Sequence, residues 1–252
     1  MIYRPEEIKI MRAGGKILAT ILHELEQTVR PGMRTQELED LTRQLLKKYP
    51  GASPAFLGYD GYPAALCVSI NDEVVHGLPG DRMIELGDLV SLDFGIKYQG
   101  LITDSAATIL VPNLSTSQDE RLKSKLLQTT LECLAKAIAQ AKIGNALGDI
   151  GHAVQSHAKK NGLAVVYQLV GHGVGKELHE EPQVLNFGKA GKGEPLVEGI
   201  VLAIEPMLVA GKPEVIEDKT TLAWRTVDGS PAAHFEHTVA ITDKGPEILT
   251  LV

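Results

Sequence analysis

Apolar positions along the chain follow two rhythms. Ile8, Met11, Leu18, Ile21, Leu22 and Leu25 keep helical spacing, which puts their side chains on one face of a helix. Pro31-Gly32 interrupts this pattern, and Thr35 is placed to cap a second helix carrying Leu38, Leu41 and Leu45. A similar passage follows. Ser117 and Glu120 form a candidate capping box, Leu122, Leu126, Leu127 and Leu134 supply a buried stripe, and Asn161-Gly162 ends the next helix. Between these passages the period drops to two. Val90, Leu92, Phe94 and Ile96 alternate with Ser91, Asp93 and Gly95, which predicts a half-buried strand with Asp93 on the face opposite the apolar one.

The two passages are weakly alike in sequence. Arg30, Gly32, Leu38, Lys47 and Lys48 correspond to Lys142, Gly144, Ile150, Lys159 and Lys160 at a constant offset of 112. The offset continues into the strands, where Gly87 corresponds to Gly199 and Leu89-Val90-Ser91-Leu92-Asp93 to Val201-Leu202-Ala203-Ile204-Glu205. After a spacer 20 residues longer in the second copy, Thr103-Asp104-Ser105-Ala106 corresponds to Phe235-Glu236-His237-Thr238. Four carboxylates thus form two related pairs, and the pattern predicts one domain over 1–252 built from halves of about 1–113 and 114–252. Chance likeness between short apolar strands is the rival explanation.

These carboxylates sit awkwardly for a purely structural role. A hairpin with Tyr98-Gln99 in its loop and Lys97 opposite Gly100 would set Asp93 directly across from Asp104, with β-carbons ~4.5–5.5 Å apart. Opposed acids raise each other's pKa unless a cation lies between them, although a solvated surface pair would be tolerated. Glu205 interrupts an apolar run, and burying a lone charge is costly, so it needs a partner or a metal. Gly171-His172-Gly173-Val174-Gly175 lets the backbone turn sharply beside an imidazole. A phosphate cradle is the rival reading, but Gly175-Lys176 is followed by Glu177, not by Ser or Thr. His179 comes seven residues after His172 and so cannot form the i, i+4 pair of a helical zinc site. Either histidine alone is more often structural.

Composition narrows the class. With 252 residues, 44% of them hydrophobic, the chain can bury a large core, and a net charge of −7 argues against a general nucleic-acid binder. Cys67 and Cys133 provide neither a disulfide framework nor the usual thiolate zinc spacing, which fits a reducing cytoplasm. The N-terminus lacks the pattern of an export leader, and no stretch reaches the ~18 apolar residues of a membrane span. The expectation is a cytoplasmic protein with neither DNA nor membrane as partner.

Several strings together carry a resemblance. They are Ser69-Ile70-Asn71-Asp72-Glu73-Val74-Val75-His76-Gly77, Asp93-Phe94-Gly95, Thr103-Asp104-Ser105, Gly171-His172-Gly173-Val174-Gly175, His179-Glu180-Glu181-Pro182, Ile204-Glu205-Pro206-Met207 and Glu236-His237-Thr238. Over nearly its whole length the chain resembles the bacterial-type (type I) methionine aminopeptidases. That resemblance implies an α+β pita-bread fold with an internal pseudo-two-fold repeat, an antiparallel sheet and helices packed outside it. It implies two divalent ions, cobalt, manganese, iron(II) or zinc, held by Asp93, Asp104, His172, Glu205 and Glu236, with Asp104 and Glu236 shared, His172 and Glu205 on one ion and Asp93 on the other.

The implied reaction is hydrolysis of an N-terminal methionine, preferably before a small residue, by a hydroxide formed between the ions. Glu205 would relay the proton, His179 would stabilise the oxyanion, and His76 would hydrogen-bond near the scissile amide. The methionine pocket carries over onto Phe56, Tyr59, Tyr62, Cys67, His76, Leu178, His179 and Trp224. Phe56 and Leu178 depart from the residues more usual there, as Leu169 and Phe187 do around the glycine motif. The implied partners are nascent polypeptide N-termini, at the ribosome, acted on by a monomer. Two other readings share the ligand types: an enzyme of the prolidase or aminopeptidase P kind, and an inactive pita-bread binding protein.

Overall fold

The computed structural model describes residues 1–113 and 117–252. The inferred junction at 113/114 adjoins Leu114, Ser115 and Thr116, so the start of the second half lies outside the described residues.

Two pairs of helices occupy corresponding places: α1 (Pro5–Thr28) and α2 (Thr35–Leu46), then α3 (Gln118–Gln140) and α4 (Leu147–Lys160). Proline opens α1, and the Glu7 carboxylate accepts the Arg4 N–H at 2.9 Å. Thr35 is not the cap of α2 but its first residue. Arg34 takes the cap position and its N–H donates to Glu37 at 3.0 Å, while the Thr35 hydroxyl accepts from Gly80 N–H and donates to Gly80 C=O. Ser117 caps α3 as expected, accepting from Glu120 N–H at 3.2 Å, and α4 gives way at Asn161 to Gly162 with φ 68°. Leu122 departs from the expected stripe and is exposed, because the first turns of α3 meet solvent and full burial begins only at Leu126.

The first-half strands are β1 (Ala52–Pro54), β2 (Leu66–Ile70), β3 (Glu73–Val75), β4 (Leu89–Tyr98) and β5 (Leu101–Leu110). Next come β6 (Ala164–Val165), β7 (Gly171–Gly173), β8 (Glu180–Val184), β9 (Val201–Ile204) and β10 (Met207–Val209). The last are β11 (Val215–Glu217), β12 (Trp224–Thr226), β13 (Ala232–His234), β14 (Glu236–Thr242) and β15 (Gly245–Ile248). Among the described residues the main antiparallel sheet runs β1-β4-β5-β14-β9-β7-β8, with β2 also paired to β4 and β15 to β14. Two small sheets, β13-β10-β6 and β11-β12-β3, stand beside it.

Helices cover one face of this sheet. Val90, Leu92, Phe94 and Ile96 of β4 pack with Leu18, Ile21, Leu25, Leu38 and Leu45 from α1 and α2. Leu202, Ile204, Val239 and Ile241 meet Leu126, Leu134, Ile150 and Val154 from α3 and α4 in the same manner. Phe94 is 0% exposed, so its truncation to alanine would cost about 3–5 kcal/mol. The strand is not half-buried as its alternation suggested. Ser91 and Asp93 are buried as well, because the other face of the sheet carries a cavity with its own walls.

The β4–β5 turn corrects the expected register. Gln99 and Gly100 form a two-residue turn with φ 49° and 86°, the positive pair that suits a tight hairpin and that glycine adopts without strain. Tyr98 therefore pairs with Leu101, Asp93 with Ala106 and Asp104 with Gly95. Asp93 and Asp104 are diagonal neighbours instead of directly opposed. The register differs by two residues, so both acids stay on one face.

Candidate metal centre

Five neighbouring strands each bring one donor to the face away from the helices. Asp93 on β4 and Glu236 on β14 both pair with Ala106 of β5, and Asp104 lies two residues along from that alanine. Glu205 follows β9 directly, two residues after Ala203, which pairs with His172 on β7. Period-two alternation then sends all five side chains the same way. They line one cavity and are each at most 9% exposed. Ligand atoms of Asp104, His172 and Glu236 lie within 4.8 Å of one another, and His172 Nε2 is 3.4 Å from Glu205 Oε1.

Electrostatics make this cluster unstable by itself. Burial first, and the neighbouring acids second, push Asp93, Glu205 and Glu236 well above the ordinary carboxylate range, and burial lifts Asp104 to about 7. Asp93 Oδ1, Asp104 Oδ1 and Glu236 Oε1 are buried without a hydrogen-bond partner among the described residues. Burial draws His172 down to about 3, keeping it neutral, and its Nδ1 lies 2.9 Å from the Gly173 carbonyl. That contact places the proton on Nδ1 and leaves the Nε2 lone pair toward the acids. Orphaned carboxylate oxygens beside a neutral imidazole fit divalent cations, and the oxygen and nitrogen donor set suits manganese, iron(II), cobalt or zinc.

The cluster is braced from behind. Thr238 joins both backbone groups of Asp104, the Ser105 hydroxyl donates to the Glu236 carbonyl at 2.7 Å, and Asn186 Nδ2 donates to the Glu205 carbonyl at 3.0 Å. Each brace fixes the main chain at a candidate donor.

Above the acids lies a cavity of about 420 Å³. Phe56, Tyr59, Tyr62, Cys67 and Leu178 form its apolar wall, and His76 and His179 also line it. Phe56 owes its place to Gly95, where a Cβ would come within 2.6 Å of the ring. The Tyr62 hydroxyl donates to the carbonyls of Gly77 and Leu66 at 3.0 and 3.2 Å. His76 has φ 62°, a left-handed conformation uncommon outside glycine. It is held there by Gly77, whose N–H donates to Ser69 Oγ and whose carbonyl accepts from Val68 N–H. Tyr59 Oη and His179 Nδ1 are 2.8 Å apart, and the His179 ring meets that of His172 edge-on with centroids 4.4 Å apart. Trp224 is the exception among the expected pocket residues. From β12 it pairs with Val75 of β3 and packs against the cluster of Val74, Val75 and Met207, so it stands behind two lining residues, Val75 and Met207, and is not itself among the lining side chains.

A model of metallopeptidase family M24 matches residues 9–243. The chain belongs to metallopeptidase family M24. It is 45% identical over 250 residues to methionine aminopeptidase 1 of Bacillus subtilis, covering 98% of both chains. The crystal structure of methionine aminopeptidase from Thermotoga maritima superposes with a TM-score of 0.95 at 43% identity, covering 100% of this chain and 99% of that one. The prolidase from Pyrococcus furiosus is more distant, with a TM-score of 0.77 and 25% identity, and this chain spans 65% of it. The fold is thus the pita-bread fold, and the M24 membership makes the chain a metallo-exopeptidase that uses divalent metal. No helix among the described residues is long and apolar enough to cross a membrane.

Several residues of this M24 site carried no signal of their own in the sequence. Asn186 and His234 are lone polar residues with no telling spacing, yet one holds the Glu205 backbone and the other lies beside its carboxylate. Asp60 and Glu217 line the cavity from a 3-10 turn (Tyr59–Gly61) and a short edge strand that local periodicity does not locate. Thr238 fell inside a recognised string, but its bond to Asp104 spans 134 positions.

Proposed function

We propose that this M24 chain is a methionine aminopeptidase that removes the initiator methionine from nascent polypeptides and peptides, with preference for a small second residue. The observation that carries the site assignment is the strand order. Reading across the sheet the residues come as Asp93, Asp104, Glu236, Glu205 and His172, one from each of five adjacent strands, which supports the reading that these five would hold two divalent ions, with Asp104 and Glu236 shared. When bound, the ions supply a Lewis acid for the scissile carbonyl and acidify a water molecule.

The protein groups have distinct tasks. Glu205, flanked by His172, accepts the proton of the attacking water and passes it to the departing amine. His179 hydrogen-bonds the carbonyl oxygen as negative charge develops there, with its ring fixed through Nδ1 by Tyr59. His76 hydrogen-bonds near the scissile amide, and the substrate's free amine lies toward Asp93. Phe56, Tyr59, Tyr62, Cys67 and Leu178 enclose a long unbranched side chain, and a thioether suits such an apolar aromatic wall.

Residues 1–252 act as one catalytic domain of two duplicated halves, supported by the matched positions of the helix pairs and of the acids. The enzyme works as a monomer in the cytoplasm, meeting its substrates at the ribosome. Assay of the manganese- or cobalt-loaded protein on Met-Ala-Ser should release methionine. Cleavage of Ala-Pro peptides alone would instead make it a prolidase-like relative. No release from any peptide, or fewer than two ions at saturation, would make it an inactive binding protein.

A further inference from the structure

His234 is a fully buried imidazole with no assigned task. Its residue is 1% exposed, and neither ring nitrogen has a hydrogen-bond partner among the described residues. His234 ends β13 and pairs with Met207 on β10, two residues beyond Glu205. Its Nε2 lies 3.3 Å from Glu205 Oε2, within reach of a hydrogen bond but out of line for one.

The His234 main chain is pinned by a third residue. The Thr108 hydroxyl accepts its N–H at 2.9 Å and donates to its carbonyl at 2.7 Å. The backbone is thus held in place, with Nε2 already 3.3 Å from the carboxylate. A buried donor left without an acceptor is costly, which favours a hydrogen bond between them.

The two imidazoles beside Glu205 are not equivalent. His172 faces Oε1 at 3.4 Å, but its Nδ1 is engaged by the Gly173 carbonyl, so its Nε2 offers a lone pair and not a proton. Among the described residues no such acceptor holds His234 Nδ1, which frees His234 to carry its proton on Nε2.

We propose that His234 is a positioning residue for Glu205: its Nε2–H donates to Oε2 and holds the carboxylate with Oε1 beside His172. Metal-ligating carboxylates are commonly oriented by such a donor, and removing one costs about 10–100-fold in metal affinity or activity. The inference rests on the metallopeptidase reading of the site.

The near-isosteric variants His234→Met and His234→Gln differ in whether they can donate a hydrogen bond. Metal-free protein is titrated with manganese by calorimetry, and kcat and KM are measured on Met-Ala-Ser. The Met variant should lose about 10–100-fold in manganese affinity and kcat with KM changed less than about twofold, while the Gln variant recovers most of both. Equal losses in the two variants, or no loss in the Met variant, would overturn the proposal. Should the Met variant fail to fold, long-range proton–nitrogen NMR of the zinc-loaded parent decides: a His234 Nε2–H tautomer is expected, and an Nδ1–H tautomer overturns the assignment. A parent protein that releases no methionine would defeat the functional reading instead, so the two failures are told apart.

Discussion

The hydroxyl of Thr238 accepts the N–H of Asp104 and donates to the carbonyl of the same residue, each at 2.8 Å. The β5–β14 ladder pairs Ala106 with Glu236 and Ser105 with His237, and at the next step a side chain replaces the backbone pairing. Asp104, one of the five proposed donors, is thereby fixed at its main chain. Thr238→Val keeps the volume and loses both bonds, leaving two buried backbone groups unmatched. Stability should fall by about 2–4 kcal/mol and metal affinity with it, read by urea denaturation and metal titration. Unchanged metal affinity would show that the brace serves folding alone.

His179→Ala should lower turnover with little loss of bound metal, since the proposed work of this imidazole is on the developing oxyanion. Tyr59→Phe removes the partner of Nδ1 and should give a smaller fall, roughly two- to tenfold in kcat, with the apolar wall intact. Kinetics paired with metal analysis checks both. A loss of metal matching the loss of rate in His179→Ala would contradict the assigned role.

Glu39 supplies a control for stability away from the metal. Its carboxylate, 2% exposed, accepts from Ala65 N–H and Leu66 N–H at 3.0 and 2.9 Å and meets Arg43, tying α2 to the start of β2. Glu39→Ala should cost about 2–5 kcal/mol in denaturant unfolding, because it leaves buried donors unmatched. Metal stoichiometry should remain at the parent value, since β2 carries none of the five donors.

Removal of metal should change how stability responds to pH. The carboxyl pKa values are raised in the folded protein, Asp104 to about 7 against ~3.9 unfolded. The folded state thus holds these protons more tightly. Its stability is fully present below about pH 4 and is lost as pH rises through the folded values. Bound cations favour the ionised acids and cancel that loss. Thermal unfolding of chelator-treated protein should show Tm falling between about pH 5 and 8, with a widening gap to the metal-loaded form. A gap independent of pH would refute the electrostatic account of the cluster.

By itself the sequence determined the donor chemistry and the face on which Asp93 lies. Period-two alternation placed Asp93 opposite Val90, Leu92 and Phe94, and the offset of 112 carried the same placement to Glu205. Such local patterns survive even where details fail: the Gln99-Gly100 turn altered the Asp93 pairing by two residues and kept the face. Tertiary structure alone decided which strands became neighbours. Setting β14 between β5 and β9 brings Glu236 beside Asp104, and pairing β13 with β10 sets His234 against Glu205. Those contacts join residues far apart in the chain, and their energies come from burial and long-range strand pairing, which no local spacing records.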